Sequence, residues 1–191
     1  FVNFHGYFQS YQYFKKHQEE IREEFKLKGD LEEFGEDYVN SLKTNNEKVV
    51  SVHIRRGDNS DGTNPEYLNY YGENDVLTRD SSFGRYFYPA LDTFKDENVK
   101  FLVFSGGSRS GMSHNQSDIE WCKSNLNADI QDFAIMKSCD HHITSHMTSF
   151  GYWASFLNNK EGKVVVAPSN YTVPDDGRVA RGFYPDKWKI I

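Results

Sequence analysis

The chain has 191 residues, with 22 Lys and Arg against 28 Asp and Glu, a formal net charge of -6, and 37% hydrophobic and 16% aromatic residues. That apolar content is enough for a packed core and excludes wholesale disorder, and the length suits one domain or half of a two-lobed enzyme. Net acidity argues against a nucleic-acid binder held mainly by phosphate contacts.

Residues 12 to 40 read as helical and acidic, with Ile21, Phe25, Leu27, Leu31, Phe34 and Tyr38 at roughly helical spacing and a break at Gly29-Asp30. Val49 to Ile54 reads as a short buried strand, β-branched and preceded by turn residues. Asn59 to Ser82 is polar, rich in Asn, Asp, Gly and Tyr, and reads as a long loop. The chain then alternates. Helices are expected at Arg85 to Phe94, Asp118 to Leu126, Asp132 to Cys139 and Ser149 to Leu157. Strands are expected at Val99 to Phe104, His142 to Ser145 and Lys163 to Ala167, with a Gly/Ser-rich loop from Ser105 to Ser117. Strands alternating with helices predict an α/β fold with a parallel sheet covered on both faces. Ligands of such sheets bind beyond the carboxyl ends of the strands, which points to Arg55 to Asp58, Ser105 to Gly107 and His146 to Ser149.

The strongest local feature is His53-Ile54-Arg55-Arg56-Gly57-Asp58. His53 and Arg55 share one face of an extended strand. Adjacent guanidiniums at a strand end suit a diphosphate, because each grips phosphate oxygens bidentately and stays charged. A strand-end Arg–Asp ion pair without a ligand is the structural alternative. Arg56-Gly57-Asp58 also spells an adhesion tripeptide, but three residues recur by chance. His141, His142 and His146 beside Cys139 match no standard zinc spacing, so ordinary packing or hydrogen bonding is expected of them. The opening of the helix at Thr148-Ser149 offers hydroxyls and amides to an anion, or simply a cap. Cys122 and Cys139 form no disulfide scaffold; one bridge or two thiols are equally compatible with the sequence. Two glycosylation sequons, Asn115-Gln116-Ser117 and Asn170-Tyr171-Thr172, are compatible with a secretory lumen. The stretch Ile143 to Asn159 carries no Lys, Arg, Asp or Glu and is too polar to span a bilayer.

In order along the chain, several segments resemble the α-1,2-fucosyltransferase family, in its animal-type galactoside branch. They are Gly6-Tyr7-Phe8-Gln9-Ser10 with Tyr13-Phe14, His53-Ile54-Arg55-Arg56-Gly57-Asp58, and Arg85 to Leu91. Phe101 to Ser105 with Trp121-Cys122, Asp132 to His141 followed by Ser149 to Ala154, and Asn170 to Pro174 complete the series. The resemblance implies a GT-B glycosyltransferase with two Rossmann-like lobes. Residues 46–191 would form the Rossmann-like GDP-fucose-binding lobe, and 1–45 a preceding helical segment. The family's amino-terminal lobe is expected to be mostly missing. The implied reaction is metal-free, inverting transfer of L-fucose from GDP-β-L-fucose to the 2-hydroxyl of a terminal β-galactoside. His53, Arg55, Arg56, Ser105, Thr148 and Ser149 carry over as donor-binding residues. Asp58 and Glu66 are candidate catalytic carboxylates, with Asp80 a further one. Gly106-Gly107 stand where relatives often have Asp. The implied partners are GDP-fucose and a galactose-terminated glycan, with no nucleic acid. The implied location is the Golgi lumen, anchored by a segment outside this chain. Two alternatives remain: a catalytically silent nucleotide- or glycan-binding module, and a fucosyltransferase of another linkage.

Overall fold

A computed structural model describes residues 10–45, 47–55, 79–80, 84–105, 119–121, 128–146, 148–170 and 182–191. Two 3₁₀ turns, Tyr11–Tyr13 and Lys15–His17, lead into helix α1 (Gln18–Glu24) and helix α2 (Leu31–Leu42). The helical reading of residues 12 to 40 therefore holds only in part. The break falls at Gly29, whose φ of 68° lies in the left-handed region that a glycine enters without penalty.

The core is a sheet of six strands: β1 (Lys48–Ile54), β2 (Val99–Ser105), β3 (Ile119–Trp121), β4 (His141–Ile143), β5 (Val165–Ala167) and β6 (Lys189–Ile190). Their order is β3-β2-β1-β4-β5-β6, and all five pairings are parallel. This is the order of a doubly wound sheet, with its reversal of direction between β1 and β4. The expected α/β architecture is present.

Three helices accompany the later strands: α3 (Gly84–Asp92), α4 (Ala128–Lys137) and α5 (Ser149–Leu157). Alternation along β1 divides the packing between the two faces. Val50, Val52 and Ile54 join Phe101, Val103, Phe87, Ala90 and Leu91 of β2 and α3 in one cluster. Val49 joins Leu102, Phe104, Val39, Ile135, Met136 and Ala154 in another, against α2, α4 and α5. Because both faces are covered, six of the seven β1 residues are buried, and the strand reads as an apolar run interrupted only by Ser51 and His53. A third cluster is aromatic and includes Tyr11, Phe14, Tyr152, Phe156, Tyr184 and Trp188.

Some sequence expectations fail. Ile119 to Trp121 was expected inside a helix, yet it is a strand paired to β2, with Phe101 opposite Ile119 and Val103 opposite Trp121. Three residues carry little helical signal of their own, and the open edge of β2 supplies the ladder hydrogen bonds. Residues 122–127 of that expected helix lie outside the described residues. The helix expected from Asp132 begins four residues earlier, at Ala128, and ends at Lys137. Gly35 of α2 explains how that helix is seated: a Cβ there would lie 2.4 Å from the Ala134 carbonyl oxygen, so the two helices touch backbone to backbone.

Candidate functional site

The site lies where β1 and β4 end side by side. His53 is the penultimate residue of β1, and Arg55 follows the strand. The Arg55 backbone N–H donates to Ser145 Oγ at 3.1 Å, and Ser145 is 3% exposed. That bond ties the two carboxyl ends together at the point where the sheet reverses its winding, the position at which doubly wound folds bind ligands. Ser145 had no role in the sequence reading. Its only local signal is a small hydroxyl just past a short strand.

His53 points to the face covered by α5. It is 8% exposed, its ring centroid is 5.6 Å from that of Phe150, and its Nδ1 has no hydrogen-bond partner among the described residues. Burial, reinforced by the Arg55 charge, pushes its pKa down to about 4, so the imidazole is neutral at pH 7. Gly151 makes this arrangement possible. A Cβ at that position would meet His53 Nδ1 at 2.8 Å and His53 Cβ at 3.2 Å. A glycine inside a helix costs about 1 kcal/mol relative to alanine, and here close packing against His53 is the reason for it.

Helix α5 begins beside this contact. Thr148, buried, accepts the Phe150 N–H at 3.2 Å and caps the helix, while Ser149 is exposed as its first residue. The expectation of Ser149–Leu157 as a helix is met residue for residue. Ser105 closes β2 opposite Ile54 and is half-buried. His53, Arg55, Ser105, Thr148 and Ser149 therefore all lie at the carboxyl ends of strands or at the helix start that follows β4. Arg56, Asp58 and Glu66 lie outside the described residues, as do Gly106-Gly107. Asp80 is described and exposed.

The floor of the site is held by Tyr86 of α3. Its hydroxyl lies 2.8 Å from the Thr144 carbonyl and 3.1 Å from that of Val166, reaching the ends of β4 and β5. His146 packs edge-on against the same ring, with centroids 5.0 Å apart, and burial pushes its pKa down to about 3. The other two histidines are structural, as expected. Val164 N–H donates to His141 Nδ1 at 3.0 Å, and the ring stacks on Phe94. His142 is fully buried between Ser51 Oγ at 2.7 Å and Asn158 Nδ2 at 2.8 Å. The Asn158 amide nitrogen also donates to the Cys139 carbonyl, and its oxygen accepts from Lys160 N–H, which fixes its orientation. His142 Nε2 is therefore the acceptor and Nδ1–H the donor to Ser51. Burial, first among several causes, keeps that ring neutral, with its pKa well below the ordinary value. Among the described residues, no group of three or more His, Cys, Asp or Glu converges as a metal site would. The thiol of Cys139, buried, donates to the Ile135 carbonyl at 3.4 Å; Cys122 lies outside the described residues.

The glycosyl transferase family 11 model matches residues 1–191. The chain is 27% identical to the pig protein galactoside alpha-(1,2)-fucosyltransferase 2, over 92% of this chain and 50% of the relative. It is 27% identical to human galactoside alpha-(1,2)-fucosyltransferase 1, over 92% of this chain and 47% of the relative. It is 29% identical to an Escherichia coli alpha-1,2-colitosyltransferase, over 88% of this chain and 55% of the relative. The chain thus spans about half the length of the curated relatives it matches.

Proposed function

The chain belongs to glycosyl transferase family 11, and on that premise we propose that it is the donor-binding part of a galactoside α-1,2-fucosyltransferase. The reaction is transfer of L-fucose from GDP-β-L-fucose to the 2-hydroxyl of a terminal β-galactose, with inversion. The observation that supports this most directly is the place of Arg55. It stands at the carboxyl end of β1, beside the switch point, with its backbone hydrogen-bonded to Ser145 and the amino end of α5 nearby.

Departure of GDP develops negative charge on the β-phosphate. Arg55, with Arg56, answers that charge as a divalent cation does in other transferases, each charge-assisted hydrogen bond contributing about 1.5–3 kcal/mol. Amides at the start of α5 and the Ser149 hydroxyl add uncharged donors. His53 is neutral, so it supports the strand end without adding a competing cation. The fucosyl carbon becomes cation-like as its bond to phosphate lengthens, and the acceptor hydroxyl attacks from the opposite face. Asp58, Glu66 and Asp80 are the carboxylates proposed to take its proton. No metal is required in this scheme, and the enzyme is placed in the Golgi lumen, consistent with the two sequons.

The test is Arg55→Ala in the full-length enzyme, assayed for fucose transfer to a β-galactoside, with the fold checked by circular dichroism. Transfer is expected to vanish while the fold persists; unchanged turnover overturns the clamp. GDP binding without transfer by the unmodified full-length protein would support a silent binding module instead. The similarity to a protein named as a colitosyltransferase favours one second reading, transfer of a different sugar in the same linkage. Parallel assays with two nucleotide sugars separate it from the first.

A further inference from the structure

The proposed transfer makes no use of a cleft at the other end of the sheet, by the amino end of β5. The cleft encloses about 680 Å³ between α1, the last turn of α5, the turn at 158–163 and the segment 185–188. That volume is in the range of small-molecule sites. Arg22 and Lys163 are partly buried cations that line it, with Lys160 beside them. Arg22 Nε donates to the Phe156 carbonyl at 3.3 Å, its guanidinium lies 4.6 Å from the Phe156 ring centroid, and Nη1 meets Glu19 at 2.5 Å. Lys163 Nζ donates to the Ser155 carbonyl at 2.7 Å and to the Asn158 carbonyl.

These carbonyls belong to the end of α5 and the residue that follows it, so both cations sit on the helix's negative end. Capping does not use all their donors. A protonated lysine has three N–H groups and Lys163 spends two; Arg22 Nη2 has no partner among the described residues. The two charges are also near enough to oppose each other. Burial, with the Arg22 charge as second cause, pushes Lys163 down to about 7. An anion between them would turn that repulsion into attraction and take up the spare donors.

The surrounding charges leave this position cationic. Lys160 is committed to Asp140 and the Ser138 carbonyl, and Asp186 to Lys15. Glu161 and Lys187 line the cleft but are exposed, and Glu19 is 80% exposed beside Arg22. His142, behind Lys163, is neutral. We propose that this cleft binds a small molecule bearing a carboxylate or a phosphate monoester, its oxygens held between Lys163 Nζ and the Arg22 guanidinium and its uncharged part between Tyr11 and Trp188.

The test is calorimetric titration of the full chain with inorganic phosphate and, separately, with glucuronate. Saturable binding of either at about millimolar concentration is expected, with phosphate alone indicating a phosphate ligand and glucuronate a carboxylate. The pH arm uses glucuronate, whose charge is constant. Affinity should weaken at least about tenfold from pH 6.5 to 8.5 as Lys163 loses its proton. Lys163→Met should abolish binding, and excess GDP should leave it unchanged. Should that variant fail to fold, the Lys163 titration followed by NMR in the unmodified chain decides, because added probe must raise its midpoint. The proposal is overturned if neither probe saturates, if Lys163→Met still binds, if GDP displaces the probe, or if the Lys163 midpoint does not move.

Discussion

Gly151→Ala is a sharp test of the packing that seats the candidate site, because two known effects have opposite signs there. Alanine in a helix is favoured over glycine by about 1 kcal/mol, so in open space the substitution stabilises. In this fold the new methyl would stand 2.8 Å from His53 Nδ1, 3.2 Å from its Cβ and 3.3 Å from its Cγ. His53 is 8% exposed and sits within β1, one residue before its end, so it has little room to move. Overpacking of this kind costs about 1–3 kcal/mol, and the net expectation is a loss of up to about 2 kcal/mol. The decisive measurement is a double-mutant cycle by urea unfolding. In a His53→Ala background the two ring contacts disappear and only the Cβ contact stays, so adding Gly151→Ala should cost less than in the wild type, with a coupling of at least about 1 kcal/mol. Additive effects, or a wild-type background stabilised by Gly151→Ala, would show that α5 does not rest on His53 as described.

Ser145→Ala removes the acceptor of the Arg55 N–H and should cost about 1 kcal/mol of stability while weakening GDP binding; unaltered affinity by calorimetry would deny Ser145 its positioning role. Gly35→Ala drives a methyl to 2.4 Å from the Ala134 carbonyl oxygen, a backbone contact that no side-chain rotation relieves, and should lower the urea midpoint by about 1–3 kcal/mol equivalent. His53, neutral in the fold with its pKa near 4, must gain a proton on unfolding below pH 6.5. Its contribution is complete above pH 6.5 and is lost as pH falls toward 4, amounting to about 3 kcal/mol. His53→Leu should therefore flatten the stability profile between pH 6.5 and 4, and parallel profiles would contradict the assignment.

The legible parts of this molecule were those whose local signal and tertiary role agree. Val49, Val50, Val52 and Ile54 form a β-branched run that both faces of the sheet bury, so propensity and packing favour the same strand. Thr148 caps α5 with its own side chain, and the helix begins where the sequence placed it. Ile119–Trp121 and Lys189–Ile190 have no such agreement. They are strands because β2 and β5 present ladder groups to them, a fact carried by other residues. The seat of α4 was equally unreadable: its second half rests at Ala134 on Gly35 of α2, far away in sequence.

The candidate site divides in the same way. His53 and Arg55 stood out because charge at the end of an apolar run is rare and has few structural uses. Ser145 was silent, and Gly151 showed only as part of the Ser149 to Ala154 segment, because their roles are relational. A serine hydroxyl matters only beside the Arg55 amide, and an absent Cβ matters only beside the His53 ring. Both residues act on the ends of strands that the parallel topology brings together across some ninety intervening residues. Sequence spacing alone does not contain that neighbourhood; the strand order does. The sequence therefore names the groups that would meet a phosphate, and the fold names the groups that hold them still, which is why Gly151→Ala and Ser145→Ala test the site from its unread side.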